Sequence, residues 1–452
     1  MQDLTTGSVS RHLLKTSAFM LVTMVFQTLY FLIDLYWVGR LGTQSVAAVG
    51  VAGNLTFIVL ALTQMLGVGT TTLISHAAGR KDKEGLTLVF NQSQILSIVT
   101  GILFTIVGML ARVPYCNAMS ADPETAKLAA SYLLWFIPAM GIQFGLVAMA
   151  SALRGVGNFK TGMMVSTVTV VLNMLLAPFL IFGWVTGHAF GVAGAAISSL
   201  IAIIVGVAWL LLYFFAKDSY LQFVRADLRP KVEVWKRILG IGLPAGFEFA
   251  MMAVYIAVVY SVTRPFGAAA QAGFGIGMRV VQAGFMPVVA LGFSVAPVAG
   301  QNFGAKSAGR VKRAFRDGAL MAAGVMILFA IACHIWPAEM ISVFSRDPAV
   351  VEIGVEYLRI ISWNFVASGL IFVASSMFQA MGNTIPSLIT SGMRILIVAI
   401  PVIILAHRPG FALVSIWHLS VASVYLQLAV SMLLLRREFS RRMAFTSLPA
   451  AA

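Results

Sequence analysis

Charge is scarce in this chain. Asp, Glu, Lys and Arg make up 10% of its 452 residues, against about 25% in a soluble domain. With 60% hydrophobic residues and a mean hydropathy of +0.92, that scarcity excludes a water-soluble fold and implies a polytopic membrane protein. Cysteine is nearly absent. Cys116 and Cys333 stand in unrelated contexts, which excludes a disulfide framework or a cysteine metal site. No Walker loop, nucleophile elbow or zinc motif occurs, so an ATP-driven pump or a membrane enzyme lacks its parts. The first apolar run, from about Ser17 to Val38, has no cleavage site of small residues and reads as a retained helix.

Apolar runs are abundant. They mark about twelve spans, at 16–39, 47–76, 90–111, 128–152, 161–183, 191–216, 238–263, 270–300, 317–337, 354–379, 386–406 and 411–435. The chain carries 31 basic and 16 acidic residues, a net charge of +15. With a cytoplasmic N-terminus, 22 of the 31 basic residues fall on the cytoplasmic side and seven outside, while Arg279 and Arg394 lie inside spans. The positive-inside rule then fixes both termini in the cytoplasm. The excess charge reports topology, and no nucleic-acid partner is expected.

One offset of 225 residues recurs without gaps. Gly42, Gly67 and Gly79 match Gly267, Gly292 and Gly304; "SADP" (120–123) matches "SRDP" (345–348); Tyr132 matches Tyr357; "GVGN" (155–158) matches "AMGN" (380–383). Six spans per half give both halves the same orientation, related by an axis along the membrane normal. The expected layout is an N-terminal lobe (1–216), a basic cytoplasmic linker (217–237), a C-terminal lobe (238–440) and a tail (441–452). Such duplication is a transporter architecture, with substrate held near the midplane.

Fourteen of the sixteen acids are expected in loops, tails or span ends, leaving Asp34 and Glu248. A charge at the bilayer centre costs about 2.5–3.5 kcal/mol on insertion scales, so intramembrane acids usually face a cavity. Asp34 lies about five residues, or roughly 7–8 Å, from the outer end of its span. Thr23, Gln27, Tyr30 and Asp34 are spaced by four, three and four residues and line one helical face. Ser166, Thr169 and Asn173 form a second stripe in the fifth span, and Asn173 could bond Asp34. Desolvation favours the protonated acid over the carboxylate. A proton and a cationic substrate can each neutralise Asp34, but not both at once, and that exclusion is enough for antiport.

Subtracting 225 puts Glu248 at Thr23 and Tyr255 at Tyr30, with Val259 in place of Asp34. Glu248 is either a second proton or cation site, or an ion-pair partner of Arg279 or Arg394. Met251, Met252, Met278 and Met286 offer either ordinary packing or an adaptable drug surface. Trp363 and Asn364 open the tenth span, as interfacial anchors or binding groups. No cofactor is expected.

The chain resembles the bacterial multidrug and toxic compound extrusion (MATE) family. The resemblance covers about residues 10 to 440. It rests on "DLYWVGRLG" followed by "AAVGVAGN", on "LRGVGN" and "FQAMGN", on "LNMLLAPFLIFG" followed by "GVAGAA", and on "APVAGQNFGA". It implies an all-α membrane fold of twelve helices in two six-helix lobes around a central cleft. It also implies export of cationic, amphipathic compounds from a bacterial inner membrane by H⁺ or Na⁺ antiport, through rocker-switch alternation, and an expected monomer. Asp34 matches the first-helix acid linked to coupling in the proton-driven DinF-like branch. Tyr30 and Asn173 match polar positions of the same site, and Ser199 lies about where many members have threonine. Ala177 stands where many members carry an aspartate, the first span has no proline, and the tenth lacks the acid of the sodium-driven branch. These departures favour H⁺, one proton per cycle, over Na⁺. The rival readings are a lipid-linked or metabolite flippase, a Na⁺-coupled exporter, and a non-transporting receptor or channel. With only two arginines inside spans, the large cationic cleft of a pyrophosphate flippase is missing. The asymmetric acids supply no selectivity ring.

Overall fold

The computed structural model describes residues 2–184, 187–216, 220–405 and 412–444. Lys217, Arg408 and tail residues 445–452 lie outside them. The helices are α1 (Val9–Gly39), α2 (Thr43–Gly53), α3 (Leu55–Gly79), α4 (Lys83–Met119), α5 (Pro123–Gly155), α6 (Phe159–Phe182), α7 (Val192–Phe215), α8 (Val232–Thr263), α9 (Ala268–Gly304), α10 (Ala308–Ile335), α11 (Pro337–Ser342), α12 (Pro348–Ile361), α13 (Phe365–Ala380), α14 (Ile385–Leu405) and α15 (Leu413–Arg442). Among the described residues, twelve helical segments are long and apolar enough to cross a membrane, with α2–α3 and α12–α13 each forming one span. Trp363 and Asn364 do not open a span: they sit in a single 3₁₀ turn, Ser362–Asn364, between α12 and α13.

Several repeated motifs turn out to be helix starts. In "SADP" and "SRDP" the aspartate caps the next helix: Asp122 accepts from the Thr125 N–H at 2.9 Å and Asp347 from the Ala349 N–H at 3.0 Å. The proline that follows occupies the first helical turn, where no donor is lost. In "GVGN" and "AMGN", Gly157 and Gly382 take positive φ (79° and 72°) to turn the chain. Lys81 and Lys306, 225 residues apart, both hold left-handed backbone at φ 57° and 56°.

The helices are apolar outside, as a lipid-facing surface requires, and bury polar residues among their apolar core. On α4, Ile98, Ile102, Leu103, Ile106 and Leu110 are exposed, while Asn91, Gln92, Ser93 and Ser97 are buried. The buried amides fix the basic linker. Asn91 donates to the Gln222 carbonyl, and Gln92 donates to those of Asp227 and Arg229, the latter two at 2.7 Å. Backbone groups that no lipid could satisfy thus find side-chain partners.

The chain divides into two compact units. The first holds Met1–Asp3 and Phe19–Gly246, and the second Leu4–Ala18 and Phe247–Ala452. The division falls inside α8 rather than in the 217–237 linker. The reason is close packing: Cβ atoms added at Gly69, Gly242 and Gly246 would strike the backbone carbonyls of Ile238, Met65 and Ala61. The first turns of α8 therefore lie against α3 and belong with the first unit. In the second unit, Leu4, Val9 and Leu13 are buried in the main apolar cluster, and the Leu4 carbonyl accepts from Asn302 and Arg310.

Candidate functional site

In the first unit, Asp34 lies on α1, is 9% exposed, and its Oδ1 is buried with no hydrogen-bond partner among the described residues. One turn earlier, the Tyr30 hydroxyl meets Ser199 Oγ at 2.9 Å. Ser199 also accepts from Asn173 Nδ2 at 2.9 Å, and Asn173 reaches Ser198 at 3.3 Å. The expected bond from Asn173 to Asp34 is therefore not formed, because the two serines of α7 take the amide hydrogens. Asn173 Oδ1 is itself buried and without a partner among the described residues. Two buried acceptors, one from a carboxyl and one from an amide, thus stand unpartnered on one unit. Such groups are costly unless a proton or ligand visits them.

The stripe on α1 is only partly inward. Thr23 is buried and donates to the Phe19 carbonyl, whereas Gln27 is exposed. Ala177 is 1% exposed and packs in an apolar cluster with Val38, Cys116 and Ile181.

In the second unit, Glu248 pairs with neither Arg279 nor Arg394. Three serines cradle its carboxylate. Ser387 donates to Oε2 at 2.7 Å, Ser375 to Oε2 at 3.3 Å, and Ser391 to Oε1 at 3.1 Å. Arg279 is exposed. Arg394 lies with its guanidinium carbon 4.9 Å from the centroid of the Tyr255 ring. The Tyr255 hydroxyl meets Ser420 at 3.0 Å, so the first and last helices of each half share a Tyr–Ser contact. Met252 is 52% exposed.

Two further acids are buried that sequence reasoning placed at span ends. Asp317, in the third turn of α10, accepts from Ser10 Oγ at 2.7 Å and pairs with Arg313 and Arg316 at 3.6 and 3.2 Å. Glu438 pairs with Arg442 at 2.8 Å. The signal was present in a basic neighbour four residues away from each, Arg313 and Arg442. Both carboxylates are ion-paired, unlike Asp34 and Glu248. Among the described residues no group of three His, Cys, Asp or Glu could hold a metal ion.

The chain is similar to known proteins in sequence and fold. The family model MatE matches residues 20–179 and 244–405, one copy on each half of the duplication. A probable multidrug resistance protein of Bacillus subtilis (strain 168), YoeA, is 27% identical over 403 residues, covering 88% of this chain and 87% of its own. A probable multidrug resistance protein of Thermotoga maritima, NorM, is 26% identical over 380 residues, covering 84% and 81%. A solved structure, the outward-facing conformation of a multidrug resistance MATE family transporter of the MOP superfamily, superposes with a TM-score of 0.90. It is 26% identical, and the match covers 97% of this chain and 98% of that one. With both halves matched, this multi-pass membrane protein belongs to the MatE family, the multidrug and toxic compound extrusion family.

Proposed function

We propose that the chain exports cationic, amphipathic compounds across a bacterial inner membrane in exchange for protons, by alternating access, with both termini in the cytoplasm. Asp34 is the coupling group. The observation that carries this reading is its carboxyl group, 9% exposed, with an Oδ1 that has no hydrogen-bond partner among the described residues. A carboxylate without a counter-charge in a dry setting is unstable, and either a proton or an organic cation relieves it. Binding one excludes the other. One proton in for one monovalent cation out moves no net charge, so the pH difference, not the membrane potential, drives the exchange. Tyr30, Ser199 and Asn173 shape the wall beside it. The names of the relatives, multidrug resistance proteins, agree with the cargo.

The deciding experiment is ethidium efflux from proteoliposomes under an imposed pH step or an imposed sodium step. The parent responds to the pH step and Asp34→Asn does not, although Asp34→Asn still binds dye. Full-rate pH-driven efflux by Asp34→Asn, or efflux by the parent driven by sodium alone, overturns the assignment.

A further inference from the structure

Arg394 stands near the middle of α14, ten residues from its start at Ile385. An arginine at such depth costs about 2.5–3.5 kcal/mol on insertion scales, and proteins normally offset it with a carboxylate. Here none does. No ion pair among the described residues includes Arg394. The intramembrane acid of the same unit, Glu248, is already held by Ser375, Ser387 and Ser391. Arg394 Nε is buried with no hydrogen-bond partner among the described residues, while the residue as a whole is half-buried, so other donors of the fork are reachable.

The guanidinium is nonetheless placed. It lies over the Tyr255 ring at 4.9 Å, and that ring is fixed at its far end by the Ser420 contact at 3.0 Å. Packing between α8 and α14 is close here, since a Cβ at Gly392 would meet the Met251 methyl at 3.1 Å. A ring face orients a cation but leaves its N–H groups without acceptors. What completes a planar fork of N–H donors in a dry setting is a carboxylate, phosphate or sulfonate oxygen pair, bound bidentately.

We propose that Arg394, held over Tyr255, is a recognition site for the anionic group of an amphipathic substrate. The cargo then includes zwitterionic compounds, not cations alone. This rests on the export reading above and names a specificity-determining residue for it.

The test uses a matched pair of dyes: a rhodamine methyl ester and its parent free acid, which differ in one carboxylate. Binding to the purified full chain in lipid nanodiscs is followed by fluorescence polarisation. The wild type binds the free acid about tenfold or more tighter than the ester, the worth of a hydrogen bond to a charged group. Arg394→Gln loses this preference while its affinity for the ester stays within about threefold of the wild type. Arg394→Lys, which keeps the charge but not the fork, retains part of it. Equal affinities in the wild type, a preference that survives Arg394→Gln, or a variant that loses both dyes alike overturns the proposal. The wild-type comparison needs no variant to fold. If neither dye binds the wild type, the export of amphipathic compounds falls too; if both bind equally, only the role of Arg394 falls.

Discussion

Replacing Ser387 with alanine isolates one interaction of the second unit. Ser387 donates its one hydrogen to Glu248 Oε2 at 2.7 Å, and its oxygen lies 2.7 Å from Ser375 Oγ, so the one Ser375 hydrogen is shared between Ser387 and Oε2. Ser387→Ala deletes the shortest donor to the carboxyl group, leaves Ser391 at 3.1 Å, and frees the Ser375 hydrogen for Oε2 at 3.3 Å. A hydrogen bond to an ionised acceptor contributes about 1.5–3 kcal/mol, and one to a neutral acceptor about 0.5–1.5 kcal/mol. The loss therefore depends on the charge of Glu248. In a Glu248→Gln background the same serine faces a neutral amide, and its removal costs roughly 1 kcal/mol. The coupling in the cycle of parent, two single variants and the double variant is the difference, about 1 kcal/mol or more when Glu248 is ionised. Unfolding of the four proteins by SDS titration in mixed micelles gives the four free energies. A loss below about 0.5 kcal/mol in both backgrounds would refute the serine cradle as a source of stability.

Two other changes follow from packing and backbone. Ala177→Asp places an acid in a fully buried apolar setting beside Val38, Cys116 and Ile181. The unfolding midpoint is expected to fall, by about 1–3 kcal/mol of stability, and an unchanged midpoint would show that this wall accepts a carboxyl group. Lys306→Gly relieves left-handed backbone at φ 56°, with an expected gain of about 1 kcal/mol, checked by the same titration; a loss of stability would mean that the lysine side chain contributes more than its backbone strain costs.

The membrane fold was legible because lipid makes hydrophobicity a direct readout of position. The apolar runs located the spans, and the 225-residue offset located the duplication. Most structural starts lie earlier, since polar turns such as Ala308–Arg316 continue a helix beyond its apolar run. The Tyr30–Asn173 neighbourhood was half legible. Helical spacing put Tyr30 and Asp34 on one face, but not the serines that take the Asn173 amide. Ser199 was flagged by resemblance alone, and Ser198 carried no signal. The Glu248 cradle was invisible for the same reason: its donors lie 127 to 143 positions away, and serine is too common in membrane helices to stand out. Asp317 and Glu438 stand near span ends, in the third turn of α10 and the last turns of α15, but their burial was not legible, because hydropathy cannot see a carboxylate that a neighbouring arginine neutralises.

Proton release on substrate binding tests the central claim most directly. Dye is added to the purified protein in weakly buffered detergent solution, and the pH change is followed with an indicator. If Asp34 is protonated in the resting protein and exchanges its proton for the organic cation, the parent releases a proton for each dye bound. Asp34→Asn then binds dye with no release, and Glu248→Gln releases as the parent does. Release of the same size from Asp34→Asn would place the exchanging proton elsewhere and contradict the account.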